Sequence, residues 1–230
     1  MAKTSPRSVN TAAALRHLKK SDPALGRLID KVGAYTLRVE GIHSPFDALA
    51  QAIMHQQITG KAAATIVRRF KEKLADGESF PTPEAVLAAS DETLRAVGLS
   101  RSKALAVRDL AAKTIDGTVP AYAALQAMED DLIAERLTQI RGIGLWTVHM
   151  LLMFRLGRPD VVPTTDYGVR KGFMVAFRAK EMPSPKEVAE RADRWRPYRS
   201  VASWYLWRAL ELPAPKTRRS LPVAKALRRR

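Results

Sequence analysis

The chain contains no cysteine. That absence excludes disulfides, zinc held by thiolates and an iron–sulfur cluster bound by cysteine. No apolar run reaches the length of a bilayer span, and the first residues lack the apolar core of a secretory signal. A place inside the cell is expected, cytoplasmic and nucleoid-associated in a bacterium or nuclear in a eukaryote, with no membrane partner. Acidic residues are scarce as well. Asp and Glu number 23 against 39 Lys and Arg, a formal charge of +16. Such an imbalance favours a polyanionic partner, with nucleic acid the default. The four histidines, His17, His43, His55 and His149, show no zinc-site spacing.

What is present reads as helix almost throughout. The 230 residues, 46% of them hydrophobic, suffice for one large core or two modest lobes. Asp22-Pro23 and Ser44-Pro45 each pair a capping side chain with a proline at the first helical position. Apolar residues at helical spacing predict helices over 11–20, 23–33, 48–56, 59–74, 81–89, 91–97, 102–115, 120–128 and 129–140. In the fourth of these, Ala62, Ala63, Ile66, Val67 and Phe70 share one side. Helices resume at Asp166, Pro185 and Arg199. Tyr35 to Glu40 alternates apolar and polar residues but is too short for more than an isolated extended segment. Residues 1–8 and the proline- and arginine-rich stretch 213–230 read as disordered tails. The fold class is all-α, with no internal repeat.

Near the middle lies Leu137-Thr138-Gln139-Ile140-Arg141-Gly142-Ile143-Gly144-Leu145-Trp146-Thr147-Val148. Leu132, Ile133, Leu137 and Ile140 precede the two glycines at helical spacing; Val148, Leu151, Leu152 and Leu156 follow them. Glycine tolerates positive φ, so Gly142 and Gly144 suit a tight turn between helices. Such a turn aims the first N–H groups of the second helix at a phosphate oxygen. The pattern is a helix-hairpin-helix, which grips DNA backbone without specifying any chemistry on it. The plainer reading is an ordinary helix end and connection.

Pro163-Thr164-Thr165-Asp166-Tyr167-Gly168 comes next, placing Asp166 twenty-two residues after Gly144. An Asp at a helix start is ordinarily an N-cap, and on this segment alone that reading leads. Hairpin, loop and aspartate in this order resemble the helix-hairpin-helix DNA glycosylases, and most closely the 3-methyladenine DNA glycosylase II branch. Phe46 to Phe70, centred on Gln56-Gln57-Ile58-Thr59, resembles that family's helix pair facing the lesion. Gly98-Leu99-Ser100-Arg101-Ser102-Lys103-Ala104, Arg158-Pro159-Asp160 and Arg194-Trp195-Arg196-Pro197-Tyr198-Arg199 are similar to further family segments. The likeness runs from about Asp22 to Glu211 and matches the compact members that lack a β-rich N-terminal domain.

The resemblance implies two helical lobes with the active site in the cleft between them. One is 45–158, containing the hairpin; the other is 9–44 with 159–212. It implies a monofunctional hydrolase that flips alkylated bases out of double-stranded DNA. Asp166 would stabilise the charge that builds on C1′ and orient a water. Trp146, Tyr167 and Trp207 would wall a pocket that prefers cationic or electron-poor bases. Trp207 reads equally as core, beside Trp195 and Trp204. Gln57 stands at the position of the family's wedge, though a solvated loop residue is an equal reading; His55 would lie near the minor groove.

Thr59, Lys61, Arg141, Gly142, Gly144 and Thr147 complete the expected DNA contacts. Arg101, Lys103 and the basic tail are available for phosphates. The backbone carbonyls of Thr138, Ile140 and Ile143 match those that hold a monovalent cation, Na+ or K+, in the family; no other cofactor is required. Strand-nicking members carry a hairpin lysine where this chain has Trp146, so water is the expected nucleophile. A monomer is expected, since one duplex fills one cleft. The alternative is a non-catalytic helix-hairpin-helix protein that binds damaged DNA, with Asp166 only a cap.

Overall fold

Cap residues set most helix starts in the computed structural model, which describes residues 9–41 and 44–213. The expected tails, Pro213 excepted, lie outside the described residues, as does His43. Asn10, Asp22, Ser44 and Thr59 each accept a first-turn N–H, opening α1 (Thr11–Ser21), α2 (Pro23–Val32), α3 (Pro45–His55) and α4 (Gly60–Leu74). Thr82, Ser90 and Ser100 do the same for α5 (Pro83–Ala88), α6 (Asp91–Ala96) and α7 (Arg101–Ile115). Each such cap contributes about 1 kcal/mol. No side chain caps α8 (Tyr122–Ala127), α9 (Asp130–Leu137) or α10 (Leu145–Phe154). Asp166 caps α11 (Tyr167–Phe177), and a Ser184–Glu187 capping box opens α12 (Pro185–Ala192). A 3-10 turn, Asp193–Trp195, leads into α13 (Arg199–Ala209).

The described residues form no strand, and the fold is all-α. The 35–40 segment straps one part of the molecule to another: Tyr35 meets Trp204 edge-on at 5.0 Å, and Glu40 N–H donates to Phe154 O at 2.9 Å. Two expectations need correction. The helix before the hairpin ends at Leu137 rather than Ile140, and its Leu132 is 41% exposed because α9 docks through Ile133, Ala134 and Leu137. Ala62 is exposed, since α4 packs through Ala63, Ile66, Val67 and Phe70.

The buried side chains separate into two cores. The first gathers residues from Phe46 to Val161 and includes Ile140, Ile143 and Val148 of the hairpin. The second joins Ala14 to Ile29 with Val169 to Ala209. Trp207 packs against both. At the centre of the second core the carboxylate of Asp22 is fully buried. Burial alone would push its pKa up. Arg191 at 2.8 and 3.0 Å, the Trp195 indole at 3.1 Å and the Leu25 N–H outweigh that and hold it below the usual carboxylate range. No described helix is long and apolar enough to cross a membrane.

Candidate active site

The junction of the two cores is organised around one carboxylate. Asp166 caps α11 by accepting Val169 N–H on Oδ1 at 2.7 Å. The same oxygen accepts the Trp207 indole N–H at 2.8 Å, and Oδ2 accepts the Trp146 indole N–H at 2.8 Å. The cap and the site are therefore one group. Trp146 comes from the first turn of α10, Asp166 from the start of α11 and Trp207 from the last turn of α13. A carboxylate offers about four acceptor positions, and three donors occupy this one. An acceptor position on Oδ2 remains, on a side chain that is only partly buried.

Two glycines let the helices come this close. A Cβ at Gly168 would stand 2.7 Å from Trp207 Cδ1, and one at Gly172 would stand 1.9 Å from Leu206 O. At i and i+4 they share a face of α11, so α13 approaches until backbone touches side chain or backbone. Trp207 then stacks on Phe154 with centroids 5.6 Å apart and planes 30° apart. Phe154 lines a cavity of about 230 Å3 between α3 and α10, together with Gln51, His55, Thr147 and Met150. Its wall is mostly apolar, and the Trp207 ring that anchors Asp166 reaches it only through Phe154, on which it stacks.

The expected aromatic residues do not all behave alike. Trp146 and Trp207 converge on Asp166. Tyr167, next to Asp166 at the start of α11, is 68% exposed and makes no ring contact with either indole among the described residues. Trp207 is both core and site. His149, which carries no assigned role, is partly buried, and desolvation together with nearby Arg199 keeps its pKa below the ordinary value.

The elements expected to meet the DNA backbone lie on the first core. Gly142 has φ +78°, and Gly144 presents no side chain to α10, leaving its N-terminal N–H groups uncapped by any side chain. Arg141 is exposed, although its own N–H is taken by Asp109 Oδ2 at 2.7 Å. Thr147 departs from expectation: it is 5% exposed, its side chain turned into the protein where α10 meets α3, so only its N–H faces the hairpin end. Gln57, Thr59 and Lys61 form an exposed turn. Gln57 takes φ +57°, and Thr59 spends its hydroxyl on Ala62 N–H. Lys103 is not free for phosphate. Its ammonium donates to Met54 O and Gln56 O, both at 2.8 Å.

Sequence reasoning missed Gly172, Gln56, Asp109 and Phe154. Only the twin-glycine spacing of Gly168 and Gly172 could have signalled a close helix crossing.

A family model described as the HhH-GPD superfamily base excision DNA repair protein matches residues 50–197. DNA-3-methyladenine glycosylase 1 of Schizosaccharomyces pombe is 37% identical over 197 residues, covering 85% of this chain and 86% of the relative. DNA-3-methyladenine glycosylase 2 of Escherichia coli is 30% identical over 195 residues, covering 80% of this chain and 64% of the relative. Among solved structures, the S. pombe 3-methyladenine DNA glycosylase in complex with abasic DNA superposes with a TM-score of 0.77 at 36% identity, covering 87% of this chain and 97% of that one. A DNA-3-methyladenine glycosidase from Bacillus halodurans gives 0.76 at 30% identity, covering 89% and 91%. A shared fold, a matching family model and identity sustained over most of both chains lead to one conclusion: this chain belongs to the HhH-GPD superfamily of base excision DNA repair proteins.

Proposed function

We infer that the protein is a monofunctional DNA glycosylase that releases alkylated purines from double-stranded DNA. The observation that carries this reading is Asp166, a partly exposed carboxylate at the junction of the two cores, held on one oxygen by Trp207 and on the other by Trp146. As the bond from C1′ to the base breaks, the base leaves with the electron pair and the sugar becomes cationic. A fixed carboxylate stabilises that charge, and its remaining acceptor position takes the proton of a water whose oxygen joins C1′. A base that already carries positive charge leaves without a strong acid, and indole faces favour it. No lysine occurs between Arg141 and Asp166, so no amine from the hairpin competes with water.

The names of the relatives support alkylated bases as substrates, and the neighbour solved with abasic DNA supports DNA as the partner. In this reading Gly142, Gly144 and Arg141 hold the strand. Lys61 adds charge, and Gln57 fills the gap left by the flipped base. The carbonyls of Thr138, Ile140 and Ile143 would hold a monovalent cation. Ile140 O accepts one turn N–H, from Ile143 at 3.0 Å, and among the described residues no turn N–H reaches the other two. A bound Na+ or K+ would draw a phosphate toward the turn. The protein acts as a monomer in this reading.

The test is Asp166→Asn with methylated duplex DNA and chromatography of freed bases. Asparagine keeps an oxygen for Val169 and Trp207 but loses the charge. Base release should fall by about 100-fold or more, with DNA affinity unchanged. Full release by the variant would refute the role of Asp166, and no release by the wild type would leave a damage-binding protein.

A further inference from the structure

Helix α7 lies beneath both the α3–α4 turn and the hairpin. Lys103, Ala106 and Asp109 follow one another at spacings of three on its one face. Lys103 Nζ donates to two carbonyls at the end of α3, Met54 O and that of the C-cap Gln56, at 2.8 Å each. Ala106 Cβ stands 3.3 Å from where a Cβ at Gly142 would be. Asp109 accepts Arg141 N–H at 2.7 Å while Lys113 holds the same carboxylate at 2.7 and 2.8 Å. Gln56 Nε2 closes the ring by donating to Gly142 O at 2.9 Å. An open hollow of about 480 Å3 lies against this ring, bordered by Gln56, Gln57, Lys103, Ala106, Arg141 and Gly142.

We propose that Lys103 is a positioning residue for base extrusion. It sets the height of the α3–α4 turn against the hairpin, so that Gln57 enters the duplex where the hairpin grips the strand. The inference rests on the reading of Gln57 as the wedge. Three features of the ring support it. The charge of Lys103 is spent on protein carbonyls rather than phosphates, at the helix end where a cation is most favourable. Gln57, the residue beyond the second carbonyl, holds φ +57°, a conformation that a non-glycine residue keeps only when its surroundings fix it. The two loops are 86 residues apart in sequence yet joined directly through Gln56.

The experiment compares single-turnover release of 7-methylguanine paired with cytosine against the same lesion opposite a tetrahydrofuran site, where no partner base opposes extrusion. Lys103→Met keeps the aliphatic stem and removes the donors. Its rate on the paired lesion should fall about tenfold or more, with under about twofold loss on the unpaired one and unchanged affinity for undamaged duplex. Gln57→Gly should show the same selectivity, and adding Lys103→Met to it should cost nothing further. Equal loss on both substrates, or none, overturns the role of Lys103. If Gln57→Gly is selective and Lys103→Met is not, the inference fails while the wedge stands. If Gln57→Gly costs nothing, the wedge reading itself fails and takes the inference with it. Should Lys103→Met melt below the assay temperature, Gln56→Ala cuts the tie to Gly142 with Lys103 in place and is read by the same criteria.

Discussion

The indole of Trp207 rests on Gly168, with 2.9 Å between Nε1 and the position a Cβ would take there. That nitrogen is also the donor to Asp166 Oδ1. A single methyl group at 168 therefore pushes the ring away from the carboxylate it anchors. Gly168→Ala should lower the single-turnover rate of base release by at least about tenfold, because small displacements of a reacting group are costly. The hairpin is untouched, so affinity for duplex DNA should hold. An unchanged rate would mean that the Trp207–Asp166 bond is dispensable.

Gly172→Ala, one turn further on, should act on stability instead. The obstacle there is the Leu206 carbonyl, 1.9 Å from a new Cβ, and backbone cannot rotate out of the way. Overpacking of this kind costs about 3 kcal/mol, the upper end of its usual range. Urea unfolding would measure it, and a loss under about 1 kcal/mol would show that α11 and α13 separate easily.

Trp146→Ala removes an indole that is 46% exposed and hydrogen-bonded to Asp166 Oδ2. Release of a cationic lesion such as 7-methylguanine should suffer more than release of neutral hypoxanthine, by the 0.5–2 kcal/mol of about one cation–π contact. Parallel assays on the two substrates decide this. Equal losses would assign Trp146 to orienting the carboxylate alone.

Asp22 gives the second core an acid limit. Its folded pKa is depressed, so its contribution is complete above the unfolded value of about 3.9 and fades as pH falls through the folded one. Asp22→Asn should cost about 3 kcal/mol at pH 7 by leaving Arg191 without its partner, and should flatten the loss of melting temperature below pH 4. Thermal melts of both proteins across pH 2 to 7 provide the comparison.

The hairpin could be read from sequence because its requirement is local. Gly142 needs positive φ, and the apolar rows on either side, Leu132 excepted, point inward. From its own segment Asp166 was legible only as a cap; its second use came from the family resemblance, because Trp207 lies 41 residues later and no periodicity connects the two. Thr147 deceived for the opposite reason: it adjoins the turn in sequence, but α10 rotates it against α3. Lys103 looked like one more surface charge in a chain with a surplus of them. Only three-dimensional proximity to the end of α3 shows where its proton donors go.

Trp207 touches both cores, whereas the hairpin is seated in the first alone. Fluctuations that release only the second core would withdraw one of the indoles holding Asp166 and leave the strand-gripping turn standing. A copy opened in that way would linger on the duplex as a harmless occupant.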